Sequence, residues 1–115
     1  TFSQQDMDDF GIASGGTGLI HTEPDYAAAT KFGATLVQGI FLLAVIEKEL
    51  TERLPGWGVG GSLEAKFVSP VTEGTPFSVD ITPEGDGTWS VTARTPNRVA
   101  IAATARLARS DAAAD

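Results

Sequence analysis

The sequence predicts an α+β fold: an antiparallel sheet wrapped around one long central helix. Three observations predict it. Ile40 to Ile46 is apolar at every position, and the stretch runs on to Leu54 without a turn residue. A helix that is apolar on every side is one surrounded by protein. Later stretches alternate in period two: Phe77, Val79 and Ile81; Trp89, Val91 and Ala93; Val99, Ile101, Ala103 and Ala105. Such alternation marks half-buried strands. The helical signals precede the strand signals, so one long helix faces three or four antiparallel strands joined as a meander.

Length and charge narrow the reading. A chain of 115 residues predicts one domain, here residues 1–109, with the polar, Ala-rich stretch 110–115 as a mobile tail. One helix cannot cover a whole sheet, so pairing with a second subunit is expected. No apolar run approaches the ~20 residues of a membrane span. No secretory signal is visible, so the expected location is cytoplasmic. The absence of cysteine excludes disulfides, cysteine–zinc sites and cysteine nucleophiles. A net charge of −7 with scattered Lys and Arg argues against nucleic acid, which needs a basic patch. One His and dispersed carboxylates make no ligand set, so neither a metal nor a cofactor is expected.

Ser3 caps a first helix over 4–13, with Asp6 as its reciprocal partner and Met7, Phe10 and Ile12 on its apolar face. Residues 14–21 follow, with glycines at 15, 16 and 18 and the only histidine, His21, at the end. This loop is either a plain turn or a shape that brings His21 beside a ligand. Thr22 caps a short helix with Pro24 in its first turn, ended by Gly33. Residues 34–38 are a linker. Gly39 opens the central helix, 39–54, which Pro55-Gly56 ends. Glu49 and Arg53 are spaced for an ion pair.

Glu47 lies four residues after Leu43, seven after Ile40 and three before Leu50, on one helical face. It stands either at a pocket or where the helix emerges into water. A carboxylate in a pocket suits general acid–base work. In the sheet region, Leu63, Ala65 and Phe67 form a strand ended by Ser69-Pro70. Glu84 to Gly87 is a hairpin turn, Pro96-Asn97 breaks the next strand, and the last runs to Leu107. Trp57 and Trp89 read as packing or interface residues, and Asp8 and Asp9 as a solvated helix face.

The order of these features resembles the MaoC-like family of (R)-specific enoyl-CoA hydratases and dehydratases, which have the hot-dog fold. The family pattern is Ser-Gly-Asp-x-Asn-Pro-(Ile/Leu)-His, then (Asp/Glu)-Pro-x-(Tyr/Phe)-Ala, Phe-Gly, His-Gly-Met, an apolar helix and Phe-x-x-Pro-Val-x-x-Gly. Here stand Ser14-Gly15-Gly16-Thr17-Gly18-Leu19-Ile20-His21, Glu23-Pro24-Asp25-Tyr26-Ala27, Phe32-Gly33, Gln38-Gly39-Ile40 and Phe67-Val68-Ser69-Pro70-Val71-Thr72-Glu73-Gly74. The resemblance covers nearly the whole chain.

It implies an Asp/His acid–base pair that activates water toward the β-carbon of an enoyl thioester. It also implies a backbone amide at the helix-opening glycine that holds the thioester oxygen, a role a helix N-terminus suits. Gly39 matches that glycine and His21 the histidine. The Asp position is Gly16, the Asn and Pro positions are Gly18 and Leu19, and the middle His is Gln38. Glycine has no proton to transfer. Three readings follow, in this order. In the first, the chain is a hydratase or dehydratase on CoA or acyl carrier protein thioesters, with His21 as base and Glu47 substituting for the Asp. In the second, it is a catalytically silent subunit of a heteromeric hydratase that shapes the acyl pocket; the altered positions Gly16, Gly18, Leu19 and Gln38 fit either this or a pocket enlarged for a bulky acyl group. In the third, it is a hot-dog thioesterase, since Glu47 lies eight residues after Gly39, as the acidic residue does in some thioesterases of that fold. All three imply a homodimer or a heterodimer with another hot-dog subunit. Arg94, Arg98 and Arg106 read as surface residues, with CoA phosphates as the alternative partner.

Overall fold

The computed structural model describes residues 1–107. The expected tail, 110–115, and the last two residues of the expected domain lie outside them. The first helix, α1, spans Gln4–Ser14 and is capped as the sequence predicts. The Ser3 hydroxyl accepts from the Asp6 amide at 3.0 Å, and the Asp6 carboxylate accepts from the Ser3 amide at 3.1 Å. Phe10 stacks on Phe41 with ring centroids 4.6 Å apart, and Phe2 meets Phe41 and Phe77 edge-on. These aromatic pairs dock α1 against the long helix.

The next segment departs from expectation. Residues Leu19–Thr22 form a helical turn, α2, and Pro24–Ala28 form α3. Thr22 therefore closes α2, with its hydroxyl bonded back to the Gly18 carbonyl at 3.1 Å, and does not cap α3. Pro24 explains the break, because it has no N–H with which to continue α2 and is suited to a first helical position. Nor does Gly33 end α3. The Ala29 amide bonds to the Tyr26 carbonyl at 3.2 Å and tightens the last turn, while Gly33, at φ 74°, serves a later turn.

The long helix, α4, spans Gly39–Arg53, with Arg53 and Glu49 2.6 Å apart. Four strands follow: β1 (Ser62–Phe67), β2 (Ser78–Gly85), β3 (Thr88–Thr95) and β4 (Arg98–Arg106). All pair antiparallel, in the order β1-β4-β3-β2. Only β2 to β4 are thus the expected meander; β1 lies beside β4. The physical reason is the connection 68–77, which has prolines at 70 and 76 and does not turn back on β1. It passes the start of α4, where the Val37 amide bonds the Val71 carbonyl at 2.8 Å and Leu36 bridges Thr72.

Leu42, Ile46 and Leu50 form the buried line of α4, and Leu54, just past its end, is buried as well. They pack on the inner face of the sheet, where rows run Val79–Ala93–Ile101–Phe67 and Ile81–Val91–Ala103–Ala65 across the strands. Alanines in the middle of these rows leave room for the helix to approach. The covering stops short of β1: Ala65 is exposed, and Phe67 is 52% exposed. On α4, Ile40 is 64% exposed, and Ala44 and Glu47 are exposed as well. The helix is therefore not surrounded on every side, because a single four-stranded layer covers only one of its faces.

Candidate active site

His21 sits at the end of a short path out of α1. The Gly18 carbonyl receives the His21 amide at 2.9 Å, which forms the α2 turn. The His21 carbonyl accepts from Gln4 Nε2 at 2.8 Å. The imidazole Nδ1 lies 2.7 Å from the Leu36 carbonyl oxygen. A carbonyl can only accept, so Nδ1 carries the hydrogen, and in the neutral ring the lone pair falls on Nε2. The other edge of the ring faces the glycine loop, since a side chain at 18 would meet His21 Cδ2 at 3.7 Å. Leu36 also donates its amide to Ile20 at 2.9 Å, so this one residue ties both the backbone and the ring of the His21 segment.

Gly39 opens α4. The Leu42 amide makes the first helical bond, to the Gln38 carbonyl at 3.1 Å. The amides of Gly39, Ile40 and Phe41 precede that bond, at the positive end of the helix dipole. The Phe67 ring lies against Gly39: a Cβ there would stand 3.1 Å from Phe67 Cε1. A groove of about 300 Å³ opens beside it, lined by Val37, Gly39, Leu42, Phe67, Pro70 and Val71 among others. Its walls are apolar and suit an aliphatic chain.

Gln38 is 4% exposed and joins the two halves of the site. Its Nε2 donates to the Met7 carbonyl at 2.8 Å and to the Gly16 carbonyl at 3.0 Å. Both amide hydrogens are thereby used, which fixes the orientation of the carboxamide. Its Oε1 is buried without a partner. A Cβ on Gly16 would lie 3.2 Å from Gln38 Cγ. The glycine and the glutamine are thus neighbours.

Glu47 stands apart from this group. It is exposed, and its position lies about 12 Å along the axis of α4 from Gly39 at 1.5 Å per residue. The structure brings the His21 loop, Gln38 and Gly39 into one region through Gly16 and the 36–38 segment. Three participants had no sequence signal: Gln4, Thr35 and the Leu36 carbonyl. Their bonds to the His21 segment span 15 residues or more, or run through one another, and no local pattern encodes them. Among the remaining residues singled out, Trp57 is buried, Trp89 is partly buried against the core, and Arg94 pairs with Asp80 at 3.0 Å. Asp8 and Asp9 accept from the amides of Gln4 and Gln5. Among the described residues no group of His, Asp and Glu is placed to hold a metal, and no helix is long and apolar enough to cross a membrane.

Solved structures share the fold. An (R)-hydratase from A. caviae involved in PHA biosynthesis superposes with a TM-score of 0.74 at 23% identity, over 92% of this chain and 88% of that one. The R-hydratase PhaJ1 from Pseudomonas aeruginosa gives 0.76 at 20% identity, over 90% and 72%. A chain of the ChsH1–ChsH2 complex from Mycobacterium tuberculosis gives 0.69 at 17% identity, over 91% and 87%. Among curated proteins no sequence matches. The architecture is the hot-dog fold, an antiparallel sheet on one long helix. The family pattern described as MaoC like domain matches residues 1–103, and this chain belongs to that family.

Proposed function

We propose that the chain is an enoyl-thioester hydratase, running in reverse as a 3-hydroxyacyl-thioester dehydratase, on CoA or acyl carrier protein substrates. The observation that carries the reading is the His21 ring, held at Nδ1 by the Leu36 carbonyl with Nε2 left as the basic nitrogen. In the hydration direction Nε2 takes a proton from water as the water oxygen bonds to the β-carbon. Charge then moves to the thioester oxygen, where the amides at the start of α4, Gly39 first among them, stabilise it. The proton on Nε2 passes to the α-carbon, which completes addition of one water across the double bond. The acyl chain lies in the groove beside Phe67 and Val71. A second hot-dog subunit, a copy of this chain or a different one, completes the particle over the exposed flank of α4.

A second reading is favoured by Gly16 and Gln38. With no acidic side chain at 16 and a buried amide packed beside it, the chain fits a silent subunit that shapes the pocket of a catalytic partner. The thioesterase reading, with Glu47 as nucleophile or base, ranks last because Glu47 is exposed. One set of assays separates the three. Purified chain is incubated with panels of 2-enoyl-CoA and saturated acyl-CoA, alongside His21→Ala and Glu47→Ala. The hydratase reading expects loss of the enoyl absorbance and a fall of ~10²–10⁴-fold in kcat for His21→Ala, the usual size of a general-base contribution. An unchanged His21→Ala rate overturns it. No turnover by the wild-type chain supports the silent subunit, and free thiol release that depends on Glu47 supports the thioesterase.

A further inference from the structure

Gln4 lies in the first turn of α1, seventeen residues before His21. Every hydrogen-bonding group of its carboxamide is used. Nε2 donates to the His21 carbonyl at 2.8 Å and to Asp8 Oδ1 at 2.9 Å, and Oε1 accepts from the Thr35 hydroxyl at 2.6 Å. Thr35 is 3% exposed and precedes Leu36, the residue whose carbonyl holds the imidazole. The carboxamide therefore bridges the two chain segments whose relative position sets the ring: the one that carries His21 and the one that supplies its acceptor. The bridge is rigid because a flipped amide would set its oxygen against the His21 carbonyl and its NH₂ against the Thr35 hydroxyl, losing the carbonyl bond. Its base is rigid as well, since α1 is capped and locked by Phe2, Met7 and Phe10.

We infer that Gln4 and Thr35 are positioning residues for His21, holding the imidazole in the Nδ1–H form with Nε2 free to act as base. The inference rests on the hydratase reading only for its catalytic consequence; the state of the ring stands independently of it. Because His21 is the sole histidine, its ring signals are unambiguous in a ¹⁵N-labelled sample. Gln4→Met keeps the length and helix preference of the side chain and removes all three bonds. Thr35→Val keeps the shape and removes the hydroxyl, and Thr35→Ser restores it. Gln5→Met, on the same helix but bonded only to Asp9, is the control.

The wild type and Gln5→Met are expected to show a sharp Nδ1–H resonance and a single tautomer. Gln4→Met and Thr35→Val are expected to lose that resonance to exchange with water and to show averaged ring nitrogens, while far-UV circular dichroism stays native. Thr35→Ser is expected to look like the wild type. If the chain turns over enoyl-CoA, kcat of the two disrupted variants falls ~10–100-fold with KM nearly unchanged, as for a group displaced from its working geometry. Unaltered ring signals in natively folded Gln4→Met overturn the inference, as does an equal change in Gln5→Met, which would make the effect one of α1 as a whole. Should the wild type lack hydratase activity while the ring behaves as stated, the functional reading fails and the positioning role survives.

Discussion

Gly16 and Gln38 stand 22 residues apart in the sequence, yet the fold makes them one feature. Gln38 Nε2 holds the Gly16 carbonyl, and Gln38 Cγ fills the space into which a side chain at 16 would grow. An acidic side chain introduced at 16 is therefore crowded. Gly16→Asp is expected to cost about 1–2 kcal/mol, the usual penalty for overpacking a site that must shift by a few tenths of an ångström. Gln38→Ala is expected to cost a similar amount, because it strips the Met7 and Gly16 carbonyls of a buried donor. In the double variant the introduced carboxylate occupies room that the glutamine side chain has vacated, so the combined cost falls short of the sum by about 1 kcal/mol. Urea denaturation of the four proteins checks this, and strict additivity would show that the two positions do not compete for space. The identities at 16 and 38 were legible in the sequence; their contact was not, since they are joined only through folding.

At the scale of elements, the strands and α4 were legible because their residues repeat with a period, and a period needs no partner to be seen. The rows Val79–Ala93–Ile101 and Ile81–Val91–Ala103 are the alternating residues of the sequence set side by side. What the sequence could not orient was the first half of α4. A run that is apolar all round has no polar stripe to say which side is buried. The spacing of Glu47 from Leu43 and Leu50 therefore fitted a pocket and an exposed flank equally well, and the fold puts it on the exposed one. Mutation reads the difference. Ile46→Ala, at a fully buried position, is expected to cost about 3–4 kcal/mol. Ile40→Ala, 64% exposed, is expected to cost under about 0.5 kcal/mol in the separated chain. Equal losses in thermal or urea unfolding would contradict the orientation of the helix. The β2–β3 hairpin makes a second test. Asp86 has a φ of 56°, a left-handed conformation that Asp and Asn tolerate and β-branched residues do not. Asp86→Val is expected to lose about 1–2 kcal/mol, and Asp86→Asn to stay near the wild type by the same measurement. The α2 turn escaped prediction because nothing caps it: it is made by backbone bonds around Gly18 and ended by Pro24.

Across residues 1–107 the long helix packs on one side of a four-stranded sheet, with β1 left outside the covered area. Ile40 and Ala44 on α4, with Ala65 and Phe67 on β1 and Val68 beyond it, are apolar and exposed along this flank. The same flank borders the groove at Gly39, through Phe67. A subunit seated there would bury apolar area and also shut water out of the groove, where, on the proposed mechanism, the amides of α4 would act more strongly in a drier medium. Stability of the assembly and catalysis are therefore expected to fall together. Ile40→Glu puts a charge on the flank without touching the buried line Leu42, Ile46 and Leu50. In the proposed homodimer, this change is expected to convert the particle to a monomer at micromolar concentration, to leave unfolding in urea nearly unchanged once monomeric, and to reduce turnover of enoyl-CoA. Sedimentation equilibrium measures the mass, and the same samples measure the rate. A wild type that sediments as a monomer, with Ile40→Glu unchanged in rate, would show that the groove works uncovered. A wild-type monomer that is silent alone and active when mixed with a different hot-dog chain would place that chain on the flank instead.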